Sequence, residues 1–392
     1  MKKEFPDNIR VLRILNRFNV GGPVWNVALL TKYLPEEYTT KLIGGKATAS
    51  EADAQIIIDQ LGIEALLIPS LSREVSVRND MTAFFALRKI IRQFKPHIVH
   101  THASKAGLLG RLAAMTAGVP VIVHTYHGHV FEGYFSPFKT KIIRQVERFL
   151  ARRSNAIITI SEAQKDAITQ KFTIVSAAKT HVIPLGFDLA RFYPNDAHRI
   201  EARERFKLAK DWVAVGIVGR LTAIKNQQMF LQAAAMLVAT SSEKYRFFIV
   251  GDGELMQELR GLADELGIAQ YVEFTSWIFP MEDFYSAMDL ICLTSLNEGT
   301  PVTLIEAQAS GIPVISTRVG GVENTMIDGN TGLLMHSFDP MELAEKIDLL
   351  SKDIEQRIQM SKNAHTFAIQ HFSYTELIRN MDELYKKLLT NG

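Results

Sequence analysis

Along this 392-residue chain, short apolar runs alternate with longer stretches in which apolar positions recur at helical spacing. Residues 9–16, Ile-Arg-Val-Leu-Arg-Ile-Leu-Asn, predict a first strand, Asn19-Val20-Gly21-Gly22-Pro23 a tight glycine-rich loop, and residues 24–34 a helix. Further strands are predicted at 40–43, 65–68, 97–100, 121–125, 156–160 and 179–183, with helical stretches between most of them. Such alternation implies a parallel sheet covered on both faces. Turn residues then gather at Pro184-Leu185-Gly186-Phe187-Asp188 and Tyr193-Pro194-Asn195-Asp196, and a charged helix over 200–208 opens a second series. Its strands are predicted at 212–218, 246–250, 272–274, 290–294 and 313–317. The break places a first doubly wound α/β domain at residues 1–187 and a second at 195–374, with an amphipathic terminal helix at about 375–392. The cleft between two such domains is the default ligand site.

The chain is 47% apolar and 22% charged, a soluble globular composition. No apolar run reaches the roughly 18 residues that a membrane span requires, and Met1-Lys2-Lys3-Glu4-Phe5-Pro6 lacks the apolar stretch of a signal peptide. A cytoplasmic protein is expected. The single cysteine, Cys292, falls in a predicted core strand, which excludes an internal disulfide framework and a cysteine-based metal cluster. A net charge of +2 conceals an asymmetry. Residues 1–187 hold 25 Lys and Arg against 14 Asp and Glu, hence +11, and the remainder hold 19 against 28, hence −9. A basic first half suits an anionic partner such as a membrane surface, a phosphorylated acceptor or nucleic acid, and equally a plain solvated face.

Candidate chemistry concentrates at strand ends. Glu298 and Glu306 lie eight residues apart in Asn297-Glu298-Gly299-Thr300-Pro301-Val302-Thr303-Leu304-Ile305-Glu306, where a buried strand hands over to a helix. Thr300 is predicted as its N-cap, Pro301 as its first helical residue and Gly311 as its terminator. Two carboxylates able to accept from vicinal hydroxyls, beside the free N–H groups of a helix start, suit a nucleotide sugar. Gly219-Arg220 and Lys225 follow the strand at 212–218 and place two cations at the mouth of the same sheet, where both could reach one diphosphate. Gly251-Asp252-Gly253-Glu254 closes a third strand with glycines that admit a flat ligand. His124, His127 and His129 could suggest a metal site, but alternate strand positions point to opposite faces and no carboxylate motif accompanies them.

These segments, in this order, resemble the retaining nucleotide-sugar glycosyltransferases of family 4, which have the GT-B fold of two facing Rossmann-like domains. The resemblance covers nearly the whole chain, from Gly21-Gly22-Pro23 through His124-Thr125-Tyr126-His127-Gly128-His129 to the E-x7-E element of Glu298 and Glu306. It implies that the C-terminal domain holds the donor, that Arg220 and Lys225 neutralise its diphosphate, that Glu298 binds sugar hydroxyls and Glu306 those of the ribose. It further implies that Gly22 approaches the phosphate from the other domain, that His127 touches the sugar near the reacting carbon, and that the terminal helix crosses back onto the first domain. Gly21, Gly219, Gly251, Gly253, Asn297, Gly299, Thr300, Pro301 and Val302 complete the expected substrate-binding set. No metal and no cofactor is expected, because Arg and Lys stand in for the metal. The mechanism usually proposed for such enzymes is same-face attack, in which the departing phosphate oxygen takes the acceptor's proton. Two departures stand out: Pro184-Leu185-Gly186 where the family often has Pro-Asn-Gly, and Ser276 where it often has glycine, close to the nucleobase pocket.

The expected donor is a nucleoside-diphosphate sugar, most readily a UDP-sugar, and the expected acceptor a saccharide or lipid-linked molecule of cell-surface polysaccharide or glycolipid synthesis. Residues 131–153 mix Phe131, Tyr134, Phe135 and Phe138 with Lys139, Lys141, Arg144, Arg148, Arg152 and Arg153, a composition that suits an anionic membrane surface. Residues 101–107, Thr-His-Ala-Ser-Lys-Ala-Gly, could bind acceptor hydroxyls. No nucleic-acid partner is expected. The competing readings are a transferase acting on a small soluble acceptor, a nucleotide-sugar 2-epimerase of the same architecture and a non-catalytic sugar-binding module. A dehydrogenase is excluded because Gly21-Gly22-Pro23 does not match Gly-x-Gly-x-x-Gly.

Overall fold

A computed structural model of the chain describes residues 8–19, 22–47, 54–72, 76–128 and 137–391. The chain divides into two compact units, Met1–Phe187 with Tyr374–Gly392, and Asp188–Ser373.

The first unit is built on a seven-stranded parallel sheet in the order β3-β2-β1-β4-β5-β6-β7. Its strands are β1 (Ile9–Arg17), β2 (Tyr38–Gly45), β3 (Ala65–Leu67), β4 (Ile98–His102), β5 (Val121–Tyr126), β6 (Ala156–Thr159) and β7 (Thr180–Val182). β4 and β5 are buried along their whole length, as strands of a parallel sheet covered on both faces are, and this burial takes in the polar His100, Thr101, His102, His124 and Thr125. Strand order reverses between β1 and β4, so the crevice beyond their C-terminal ends is where this topology accepts ligands. The terminal helix Tyr374–Asn391 belongs to this unit: Leu377, Met381, Leu384 and Tyr385 share a core with Ile9, Val11, Ile98 and Val123. Its amphipathic spacing, read in the sequence, therefore answers to a real apolar partner.

The second unit repeats the plan with six parallel strands in the order β10-β9-β8-β11-β12-β13. These are β8 (Trp212–Val218), β9 (Lys244–Val250), β10 (Val272–Thr275), β11 (Leu290–Leu293), β12 (Val314–Thr317) and β13 (Gly332–Met335). Its reversal point lies between β8 and β11, the two strands that end in Gly219-Arg220 and in Thr294–Glu298. Val215, Ile217, Phe247, Ile249, Leu290 and Cys292 face the helix Gln227–Thr240 in one core, and Cys292 is buried as a small apolar group.

Several boundaries differ from expectation. The first helix begins at Gly22 rather than at 24, so Gly22 and Pro23 open a helix instead of closing a loop; Gly21 lies outside the described residues. The charged helix runs Asp196–Arg205, four residues earlier than expected, because the Asn195 side chain accepts from Ala197 N and His198 N as its cap. The helix after β11 starts at Val302, with Pro301 as its N-cap residue at ψ 95°, and makes no side-chain capping bond. Thr300 is thus not the cap and Pro301 is not the first helical residue. β13 was not expected at all.

Candidate active site

At the reversal point of the second unit, two loops are stitched together by their own polar atoms. Lys225 ends a short turn after β8, and its ammonium donates to Oε1 of Glu298 at 2.5 Å. Ser295 Oγ donates to the same oxygen at 2.6 Å. The Thr294 hydroxyl donates to the carbonyls of Lys225 and Asn226, and Leu296 N donates to the Ile224 carbonyl at 2.8 Å. Glu298 keeps only 10% of its side chain exposed, yet its second oxygen, Oε2, has no protein partner among the described residues. The guanidinium of Arg220 is exposed and equally unpartnered among them, while its carbonyl accepts from Gln227 Nε2 at 2.9 Å.

Glycines bring further backbone up to these loops. Gly251 follows β9 at φ +135°, and a Cβ there would stand 2.1 Å from the Gly219 carbonyl oxygen; one on Gly253 would stand 2.4 Å from that of Leu221. Gly219 N and Leu221 N donate to the carbonyls of Val250 and Asp252, so the loops after β8 and β9 form one surface. After β12, Gly320 sits at φ +50°, and its Cβ would lie 1.9 Å from the Glu298 carbonyl oxygen and 3.1 Å from Asn297 Oδ1. Gly321 N donates to that Glu298 carbonyl at 3.1 Å, and a Cβ on Gly321 would strike the Gly299 carbonyl. The Glu298 loop is therefore clamped by Gly320-Gly321, a pair absent from the expected site although Arg318-Val319-Gly320-Gly321 after a strand was a readable signal.

Glu306 stands apart from this cluster. It lies on the helix Val302–Ala309 and accepts a hydrogen bond from the Tyr285 hydroxyl at 3.0 Å. Burial raises its pKa to about 7, against a lowering by that hydrogen bond and by Arg191. No hydrogen bond or ion pair joins it to Arg220, Lys225 or Glu298 among the described residues. Asn297 and Gly299 are exposed on the loop, and Val302 opens the helix.

In the first unit, His127 follows β5 directly and its Nε2 lies 3.1 Å from Nδ1 of His102, the last residue of β4. His100 bonds Tyr385 Oη at 2.6 Å and Thr125 Oγ1 at 2.7 Å, and His124 Nδ1 bonds Thr101 Oγ1 at 2.9 Å. Burial pushes all four imidazoles below the ordinary histidine value, His127 to about 4, so they are neutral at pH 7. Gly22 opens its helix beside Leu185. Among the described residues no group of three or more His, Cys, Asp or Glu side chains could hold a metal ion; His129 lies outside them.

The sequence matches the family descriptions Glycosyltransferase Family 4 over residues 20–191 and Glycosyl transferases group 1 over residues 198–367. It is 31% identical to the Escherichia coli UDP-Gal:alpha-D-GlcNAc-diphosphoundecaprenol alpha-1,3-galactosyltransferase, over 84% of this chain and 85% of that protein. It is 27% identical to the D-inositol 3-phosphate glycosyltransferase of Xylanimonas cellulosilytica, over 94% and 92%. Among solved structures, Anabaena Alr3699/HepE in complex with UDP superposes with a TM-score of 0.80 at 21% identity, covering 97% of this chain and all of that one. A Rickettsia africae glycosyltransferase gives 0.82 at 19%, covering 99% of this chain and all of that one. With two parallel sheets of Rossmann type, strand-end loops that converge at the reversal point, and kinship over most of its length, the chain belongs to the family 4, or group 1, glycosyltransferases of GT-B fold.

Proposed function

We propose that the chain is a retaining, metal-independent glycosyltransferase that takes a UDP-sugar as donor and extends a diphosphate-linked lipid saccharide. The observation that carries this reading is the Lys225–Glu298 pair at the reversal point, with Arg220 exposed and unpartnered beside it. Donor diphosphate entering there meets two cations, and the interaction strengthens as the leaving group gains charge in the transition state. Glu298 Oε2, unpartnered among the described residues, has lone pairs for a sugar hydroxyl, and Glu306 for ribose hydroxyls. Of the first unit, Gly22 takes the phosphate role, His127 the contact with the sugar near the reacting carbon, and residues 101–107 the acceptor hydroxyls. Neither glutamate need form a covalent intermediate: the departing phosphate oxygen takes the acceptor's proton while the attacking oxygen arrives on the same face.

The E. coli relative acts on a diphosphoundecaprenol-linked acceptor, and this supports a lipid-linked acceptor here. A peripheral contact with an anionic membrane at the inner face of the cell membrane follows from such a substrate. The helix Pro137–Arg153 supports it with exposed Phe138, Ile142, Val146 and Phe149 among exposed Lys139, Lys141, Arg152 and Arg153. No helix of the described residues is long and apolar enough to cross a membrane.

The test incubates purified protein with UDP-, GDP- and ADP-sugars, with and without lipid-linked saccharide and with excess chelator, and follows nucleoside diphosphate release and product anomer. Release from a UDP-sugar that survives chelation, rises with lipid acceptor, keeps the donor's anomeric configuration and disappears in Glu298→Ala is expected. An inverted anomer overturns the retaining assignment, and activity restored only by divalent cation overturns metal independence. Donor binding without release under any condition favours the non-catalytic or epimerase readings.

A further inference from the structure

The ends of β4 and β5 hold an arrangement that donor binding does not explain. Nδ1 of His102 and Nε2 of His127 are 3.1 Å apart, and the two rings are stacked with centroids separated by 5.3 Å and planes inclined at 26°. Each ring also keeps one covered nitrogen without a protein partner, Nε2 on His102 and Nδ1 on His127. Unpartnered buried nitrogens are costly and uncommon in folded proteins. Directly after His102, Ala103 holds φ +64° and ψ 163°, a region that side-chain-bearing residues almost never occupy. Backbone strain of this kind persists only where the surrounding structure over-determines it, and it falls at the point where β4 hands over to the helix Ser104–Thr116. His102 is therefore delivered to His127 at the expense of an orphaned nitrogen and a strained neighbour.

The chemistry of two neutral imidazoles constrains what this contact does. One ring must donate its proton and the other must accept. If His102 Nδ1 donates, His127 carries its own proton on Nδ1; if His127 Nε2 donates, His127 Nδ1 is a bare lone pair. Either way the tautomer of His127 is tied to that of His102, and the two free nitrogens differ in kind, one N–H and one acceptor. Burial and the nearby His100 and Arg13 keep His102 neutral, so a doubly protonated pair does not compete. We propose that His102 is a positioning residue that fixes the tautomer and ring angle of His127, so that His127 Nδ1 meets a saccharide hydroxyl with one hydrogen-bonding sense. This rests on the reading of His127 as a site residue. A role confined to packing requires only the shape of His102, not its Nδ1.

The test compares the full-length wild type with His102→Leu, which keeps bulk and loses the hydrogen bond, and His102→Asn, whose amide can replace Nδ1. Nitrogen-15 NMR of histidine-labelled protein reads the His127 tautomer, and nucleotide release with acceptor reads the rate. A single neutral tautomer is expected in the wild type and in His102→Asn, and a mixed population in His102→Leu. Loss of about one hydrogen bond corresponds to a fall in kcat of about ten-fold in His102→Leu, with the donor KM little changed and most of the loss recovered in His102→Asn. An unchanged His127 tautomer in His102→Leu, or equal rates in the two variants, overturns the proposal. If His102→Leu does not fold, His102→Phe, close to imidazole in shape, serves the same comparison. A tautomer that is fixed in the wild type and lost in His102→Leu, without nucleotide release from any donor, retires the transferase reading and leaves the dyad standing.

Discussion

Glu306 shows how a single environment can give a carboxylate a pH-dependent task. Its folded-state pKa of about 7 lies above the ordinary value of 4.5, with burial as the dominant cause. The sign follows: the stability this group contributes is complete below about 4.5 and is lost as pH rises through about 7. A hydroxyl ligand prefers the carboxylate, so donor affinity should rise over the same interval as Glu306 deprotonates. Calorimetric titration of wild type between pH 6 and 8 is expected to show tightening donor binding, and Glu306→Gln should bind weakly with no such slope. Removing the Tyr285 hydroxyl, which supports the carboxylate, should displace the slope to higher pH in Tyr285→Phe. A wild-type slope that persists in Glu306→Gln would assign the titration to another group. Lys225 calls for a different measurement. Lys225→Ala removes one of the two cations proposed for the diphosphate and leaves Glu298 unpaired but for Ser295. We expect kcat to fall by about 100-fold or more while thermal stability falls by roughly 1–3 kcal/mol. A loss of stability with kcat intact would make the pair structural.

At the scale of elements, the glycine loops matter because they bring backbone against backbone, the loop after β9 onto that after β8 and the loop after β12 onto that after β11. Gly320→Ala places a methyl carbon 1.9 Å from the Glu298 carbonyl at a positive φ, so the loop carrying Glu298 must move. The expected cost is about 1–2 kcal/mol at least, together with a donor KM raised more than the melting temperature is lowered. Gly329→Ala, also at positive φ but with open space around it, is the control for backbone strain alone. Equal effects of the two substitutions on KM would remove the clamp from the site. Apolar runs made both sheets legible in the sequence, and Trp212–Val218 is found at its expected bounds. The misses have local causes. β13 is four residues long, begins with glycine and reads as part of a turn. The helix carrying Glu306 starts one residue late because Pro301 takes a non-helical ψ. The Lys225–Glu298 contact spans 73 residues and the His102–His127 contact 25, and neither spacing has a periodic signature. Individual residues were readable as chemistry, whereas their pairing waited on strand order.

For the whole molecule, part of the +11 of residues 1–187 lies on the helix Pro137–Arg153, with six Lys and Arg against one Glu. Exposed large apolar side chains of the first unit concentrate on two helices: Val77, Met81 and Phe85 on Val77–Phe94, and Phe138, Ile142, Val146 and Phe149 on Pro137–Arg153. Both helices pack beside Ser104–Thr116, and spacings of three or four residues put each apolar set on one exposed stripe. Of the expected aromatic and basic segment, Phe138, Lys139, Lys141, Arg152 and Arg153 are exposed, whereas Arg148 is held by the Phe172 and Thr173 carbonyls and Arg144 lies half-buried over the Phe172 ring; Phe131, Tyr134 and Phe135 lie outside the described residues. Exposed Lys139, Lys141, Arg152 and Arg153 flank the second stripe, and each basic residue near an anionic surface contributes about 1 kcal/mol. A solvated face would scatter its apolar residues, and a purely electrostatic contact would not need them. Sedimentation with vesicles separates these cases. Wild type should bind vesicles containing anionic lipid, weaken steeply between low and physiological salt, and bind neutral vesicles poorly. The double variant Phe138→Glu/Phe149→Glu should lose binding by about ten-fold or more while still releasing nucleotide from a soluble donor. Binding that survives this variant would leave the basic residues as the only contact, and wild type that ignores anionic vesicles would require the proposed lipid-linked acceptor to reach the enzyme without a membrane-bound state of this unit.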